Sequence, residues 1–522
     1  MQQKVQNLFE TLCTGIVFVL IACRAVFTVA DTDLWGHLRF GRDILRMGAV
    51  PLQDPYSYLT ENSKWINHEW LSDVIFALFY SAGGTPALVA LKSFFVITIS
   101  LLLWRSLLKS GFGSVAAASI MIFVQVLLAI AFPPLRPNLF TCLFLTLELL
   151  ILTTYSKRIA TANQSLIILL LPPLFMLWAN LHGGFIMGLL ILVIYWLSST
   201  AETIWSRNWQ KLKRQNLIFL AMILLTVAVT VINPYGCELL TYLMKTNGMT
   251  RTLFMKGPLV SEWQPLFKVS SLYTVFYLLT VGFSIAGVIF SRKPKYLGLI
   301  MAWLLLAGTT FLVYRALPLF CVATVILIGP HLADCWNRLW SPIVHKRNVY
   351  WLFLPAMTII LFLLLAGLIT QLSGIPGQLQ SVIPIPARAI ALLKQTKSKA
   401  NVLVEFNWAQ YFIWHLGPDM KVAIDPRCET VYSDYCLYTL YANFAKADKH
   451  WDDIVDRFPT ELVLIGPNSK VAELMALKPQ WVKVYADPIA CIFAKKDSPI
   501  QKSIMEINQT NIPASVNTNA FP

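Results

Sequence analysis

About eleven apolar runs, each near the length that crosses the ~30 Å hydrocarbon layer of a bilayer, limit this chain more than any other feature. They lie near residues 9–29, 86–108, 114–132, 138–155, 164–181, 184–200, 216–232, 270–290, 296–313, 316–333 and 351–372. Composition agrees: 57% of residues are hydrophobic and 13% charged, with a mean hydropathy of +0.61, more apolar surface than a fold in water can bury. The expected architecture is an α-helical multi-pass membrane protein of about eleven transmembrane helices. Residues 1–373 form that domain and include an amphipathic first external loop at 30–85. A linker (374–400), a small extracytoplasmic α/β domain (401–497) and a disordered tail (498–522) follow.

The formal charge of +15 could serve nucleic acid, but polytopic proteins concentrate Lys and Arg in cytoplasmic loops. Alternate loops here carry Arg105 and Lys109, Lys157 and Arg158, Arg207 to Arg214, Arg292 to Lys295, and Arg338 to Arg347. The charge therefore reads as topology, with the N-terminus cytoplasmic, the C-terminal domain outside and no nucleic-acid partner. The first run has no A-x-A-like site behind it and reads as an anchor instead of a cleaved signal. Most cysteines lie in or beside the runs as small hydrophobes; Cys428 and Cys436 are either a disulfide or a chance pair.

With that orientation the unusual polar residues sort to one side. Asp31, Asp33, His37, His68, Glu69, Arg136, Asn180, His182, Asn233, Glu262 and Arg315 all fall at or just beyond the external ends of the runs. Ionisable groups at membrane depth are costly and tend to line water-filled cavities or pair with one another, so one external cavity is the economical expectation. Within the first loop, Asp33 and His37 share a face if the segment is helical, and His68-Glu69 supplies a second acid and imidazole. Trp35, Tyr56, Tyr58, Trp65 and Trp70 suit a headgroup-level interface. The competing reading is structural: Asp31 or Thr32 caps a helix, and His68 and Glu69 are simply solvated.

The strings Asp31-Thr32-Asp33-Leu34-Trp35-Gly36-His37-Leu38, Asp54-Pro55-Tyr56-Ser57-Tyr58 and Asn67-His68-Glu69-Trp70-Leu71 resemble a family of bacterial polytopic membrane proteins grouped with the class C (GT-C) glycosyltransferases. The resemblance extends through Arg136-Pro137-Asn138, Trp178 to Gly184, Asn233 to Gly236, Glu262-Trp263 and Arg315 to Ile424-Asp425-Pro426-Arg427. It implies a GT-C-like fold in the bacterial inner membrane, a polyprenyl-phosphate sugar donor, and a glycan, lipid or protein acceptor. It also implies catalytic acids in the first external loop. A transporter or flippase for a lipid-linked substrate and a non-catalytic envelope assembly protein are the alternatives.

The residue types suit that chemistry. A positioned carboxylate accepts the nucleophile's proton, with Asp33 the first candidate and Asp31 the second. Positive charge must meet the developing phosphate, from Arg136 and Arg315 or from a divalent metal whose ligands would be drawn from Asp31, Asp33, His37, His68 and Glu69. His37, His68, Glu69, His182 and Glu262 are expected to line the cavity. His182 serves equally well as a helix-end hydrogen-bonding residue among small neighbours. Asn233-Pro234-Tyr235-Gly236 is explained by a turn alone. In the C-terminal region, strands are expected at 401–405, 421–425, 462–466 and 481–485, and Asp425 with Arg427 is either a ligand set or an internal ion pair.

Overall fold

The computed structural model describes residues 2–26, 29–61, 63–131, 135–160, 166–206, 215–246, 263–339, 350–374, 380–381 and 383–508. Glu262 and several expected cytoplasmic basic residues lie outside them. The chain divides into two compact units, one of residues 1–27 and 89–376 and one of residues 28–88 and 377–522.

The first unit is helical. It contains α1 (Gln2–Ala25), the later part of α3 (Trp70–Ser110), α4 (Ser114–Ala131), α5 (Asn138–Ala160), α6 (Leu171–Leu181) and α7 (Phe185–Trp205). Further helices include Leu217–Val229, Ser271–Phe290, Leu297–Leu312 and Tyr350–Gly374. Among the described residues, seven helices are long and apolar enough to cross a membrane. The other four expected spans coincide with shorter apolar helices at Ser114–Gln125, Leu166–Leu181, Leu217–Val229 and Leu297–Leu312. Side-chain hydroxyls inside these helices mostly bond their own preceding turn, as Thr146 does to the Cys142 carbonyl and Thr226 to that of Met222. This is how a polar group is satisfied where no water is at hand.

The second unit corrects the expected domain boundaries. The first loop does not stand apart from the C-terminal domain but packs into it. Its helix α2 (Asp33–Met47) and the start of α3 share the unit with a five-stranded sheet, in the order Met420–Val422, Ala400–Val404, Leu462–Ile465, Cys491–Lys495 and Trp481–Ala486. In that sheet β3 (Ala400–Val404), β4 (Met420–Val422) and β5 (Leu462–Ile465) run parallel. The strands β6 (Trp481–Ala486) and β7 (Cys491–Lys495) close it antiparallel. The loop extends the sheet: the Tyr58 amide bonds the Val422 carbonyl at 3.0 Å, and the Val422 amide bonds the Tyr56 carbonyl at 2.8 Å. A short parallel pair, β1 (Val29–Ala30) with β2 (Gln380–Ser381), adds a second link.

Burial explains why the loop is held. Trp35, Tyr56 and Trp65 are at most 2% exposed, and each removes apolar surface worth about 1.5–3 kcal/mol from water. The expectation that these rings lie at a membrane interface is therefore overturned, because they form the core of a folded unit. Trp35 stacks edge-on against Tyr411 of helix Ala409–Leu416, with Trp414 and His415 beside it. Hydropathy marks where a chain leaves the bilayer, not what it packs on afterwards. The expected linker holds helix Ala387–Thr396, whose Ile390, Leu392 and Leu393 are buried, and the tail begins with helix Pro499–Asn508.

Candidate functional site

Each unit contributes its own set of candidate residues. In the second unit, α2 opens with the two acids. The Asp31 carboxylate accepts the Asp33 amide at 2.9 Å, so Asp31 shapes the turn that starts the helix, and both residues remain half-buried. One turn later His37 is buried, its Nδ1 hydrogen-bonded to Asp73 Oδ1 at 2.7 Å, and Asn67 Nδ2 donates to Asp73 Oδ2 at 2.7 Å. Burial by itself opposes a charge on His37. The hydrogen bond and negative charge of Asp73, aided by Glu69 and Asp33, outweigh it and raise the imidazole to about 9. His37 was expected to line a cavity beside Asp33; its fixed partner is Asp73, which sequence reasoning passed over. An acid at the polar start of a long apolar helix was the available signal.

Close approach of two helices makes this arrangement. A Cβ on Gly41 would stand 1.9 Å from the Asp73 carbonyl oxygen, so only glycine lets α2 cross α3 at that distance. His68 and Glu69 follow Asn67, with His68 Nε2 3.8 Å from Glu69 Oε1. Among the described residues no group of three or more His, Cys, Asp and Glu side chains is gathered closely enough to hold a metal ion. The expected ligand set of Asp31, Asp33, His37, His68 and Glu69 is accordingly not assembled as one.

Deeper in the same unit lies a second constellation. Arg427 donates through Nε and Nη2 to Asp425 and through Nη1 to Asp54 at 2.7 Å, while Tyr432 donates to Asp425 at 2.7 Å. Thr60 donates to the other Asp54 oxygen, and Arg427 lies over the rings of Phe40, Tyr56 and Trp65 at 4.8–5.4 Å. All these acceptors are satisfied and buried. Of the two readings of Asp425 and Arg427, the structure supports the internal ion pair, which here fastens the first loop to the sheet. Cys428 and Cys436 are not joined in a disulfide.

In the first unit, Arg136 precedes α5 and is partly exposed. Arg315 lies in a short turn between two apolar helices, its guanidinium 5.3 Å from the Trp263 ring. The neighbouring Tyr314 amide bonds the Gln264 carbonyl at 2.9 Å. Asn180 is buried and donates to the Met176 and Ile232 carbonyls. Asn233 folds its own turn by accepting the Tyr235 amide. Both asparagines satisfy backbone groups here. His182 ends α6, with Nδ1 2.7 Å from Thr141 Oγ1.

A residue missing from the sequence analysis sits mid-helix in α5. Glu148 is fully buried, packed with Trp178 and Phe175 around Gly188, and neither carboxyl oxygen has a hydrogen-bond partner among the described residues. An apolar cleft of about 360 Å³ between α5 and α6, lined by Phe144, Leu147, Ile151, Leu174 and Leu177 among others, contains none of the candidate residues.

No family model and no curated protein matches the sequence. Among solved structures, the oligosaccharyltransferase of Archaeoglobus fulgidus in its apo form is similar. It is 10% identical with a TM-score of 0.56, covering 87% of this chain and 69% of the other. Archaeal AglB from the same organism, solved with an inhibitory peptide and a dolichol-phosphate, is also 10% identical. That TM-score is 0.55, with 95% of this chain and 77% of the other covered. At such identity the likeness carries the fold and nothing finer, and with the apolar helices it identifies the chain as a multi-pass membrane protein of the GT-C fold.

Proposed function

We propose that this protein is a membrane glycosyltransferase that moves a sugar from a polyprenyl-phosphate-linked donor to an acceptor on the extracytoplasmic side. The observation that carries the proposal is the GT-C fold joined to two half-buried carboxylates at the start of α2. The similar AglB structure holds a dolichol-phosphate and a peptide, which supports a lipid-linked donor and a separate acceptor here. In the reaction, an acceptor hydroxyl or amine attacks the anomeric carbon as the bond to the phosphate oxygen breaks. Asp33 takes the acceptor's proton, with Asp31 shaping its helix start. Stabilising the departing phosphate is a task suited to the planar guanidinium. The topology proposed with it places the N-terminus in the cytoplasm and the second unit outside, in a bacterial inner membrane.

Mass spectrometry of lipids and glycans from cells with and without the gene, complemented by wild type or Asp33→Asn, tests the proposal. We expect a sugar-bearing species that disappears with the gene and is not restored by the variant at normal expression. Identical profiles in all four strains would refute transferase activity.

Glu148 favours one other reading. A transporter or flippase needs polar groups along a path through the membrane, and an unpartnered carboxyl in mid-helix is such a group. Flux of a fluorescent polyprenyl-phosphate analogue across proteoliposomes distinguishes the two: transport abolished by Glu148→Gln and indifferent to Asp33→Asn would select transport.

A further inference from the structure

Helix Ala409–Leu416 carries a polar side chain at a position suited to an apolar one. Ala409, Phe412 and Ile413 beside it are fully buried, and Gln410 itself is 4% exposed. Its Oε1 is buried and has no hydrogen-bond partner among the described residues. A buried amide oxygen that accepts nothing lowers stability, and a methionine would fill the same space without that cost. Such a group calls for a reason outside the packing.

Gly36 shows where the amide lies. A Cβ there would stand 2.3 Å from Gln410 Oε1, 2.5 Å from Cδ and 3.0 Å from Nε2, so the amide occupies the room that a side chain at position 36 would take. In a helix that room leans over the preceding turn, and for Gly36 this is the first turn of α2, opened by Asp33. Residues three apart on a helix keep their Cβ positions about 5–6 Å apart, which puts Gln410 Oε1 within about 8 Å of the Asp33 Cβ. Both residues belong to the second unit.

The chemistry of the amide oxygen selects its ligand. It needs a hydrogen, as do the carboxylates of Asp31 and Asp33. The phosphodiester of a lipid-linked sugar offers only acceptor oxygens and cannot complete it, whereas a hydroxyl brings the hydrogen. Three side-chain torsions let the amide turn from Gly36 to a hydroxyl seated over the first turn of α2. We infer that Gln410 is a binding residue that accepts a hydrogen bond from a hydroxyl of the acceptor substrate beside Asp33. Gly36 is the positioning residue that leaves the amide its place. The inference deepens the transferase reading and rests on it for the identity of the ligand.

The test uses the full-length protein in nanodiscs, with the lipid and glycan extract of gene-deleted cells as substrate source and the initial rate of the sugar-bearing species read by mass spectrometry. Gln410→Met keeps the shape and removes the oxygen. We expect its rate in dilute extract to fall about threefold to tenfold, the loss of one hydrogen bond from a neutral group, and the deficit to shrink as the extract is concentrated. Its melting temperature should stay level or rise, because no partner inside the protein is lost. Lipid-linked sugar retained by the nanodiscs from the lipid fraction alone should match wild type. Gly36→Ala, whose methyl takes the place of the amide, should lower the rate as well. A wild-type rate in either variant overturns the inference while leaving the transferase reading intact. So does a lowered melting temperature in Gln410→Met, or a deficit that persists in concentrated extract. Lipid-linked sugar lost from Gln410→Met overturns the acceptor assignment and gives the hydroxyl to the donor's sugar. No product from wild type overturns the ligand together with the transferase reading.

Discussion

Two fully buried carboxylates, one in each unit, are treated in opposite ways. Asp425 in the second unit accepts from the Arg427 guanidinium, the Arg427 amide and the Tyr432 hydroxyl. Glu148 in the first unit accepts from no group among the described residues. A buried charge with its partners complete is a device for fixing one fold, although an apolar replacement of the whole set often costs little. A buried polar group without partners lowers stability, and its retention calls for some other reason. The contrast teaches that the Asp425–Arg427–Asp54 charges serve architecture, whereas Glu148 carries a cost that no described contact offsets.

The sharpest way to break this comparison is Arg427→Met, which strands Asp54 and Asp425 without their cation. We expect the second unit to lose about 3–5 kcal/mol, read as early proteolysis and exchange in residues 383–508, with much of it recovered by adding Asp54→Asn and Asp425→Asn. Intact protection in the single variant would remove the architectural role. Next in size, Gly41→Ala drives a methyl into the Asp73 backbone and should cost about 3 kcal/mol by overpacking, visible as a lowered melting temperature. For the other side of the contrast, Glu148→Leu should raise the melting temperature, worth about 1–3 kcal/mol, by removing an unsatisfied group. A lowered value would mean that Glu148 is paired after all.

The smallest effect is in pH. Because Asp73 lifts the folded His37 to about 9, above the usual imidazole value of about 6.5, protonated His37 favours the folded state. That contribution is fully present below about 6.5 and disappears as pH rises through about 9. Thermal unfolding of wild type against Asp73→Asn across this window should show the difference shrinking as pH rises. A constant difference would show that the pair does not titrate in this way.

The multi-pass class was legible because hydropathy over a span length is a local property, as in Ser271–Phe290 and Phe353–Leu372. Four strands were legible from short β-branched runs, while β7 at Cys491–Lys495 escaped because nothing local sets it apart. The acids Asp31 and Asp33 and the histidines were visible as residue types, and their resemblance pointed to the fold that the solved structures support. Their partners were not visible. His37 meets Asp73 across 36 residues, Asp54 meets Arg427 across 373, and Thr141 meets His182 across 41.

Sequence alone determined that this chain lives in a bilayer and carries a small sheet-containing region, since transfer free energy and strand pattern are written residue by residue. Only the tertiary structure decided that the first loop belongs to that region, that its aromatic rings form a core, and that Glu148 meets no hydrogen-bond partner among the described residues. Pairing energies depend on distance and burial, and both are set when segments far apart in the chain are brought together.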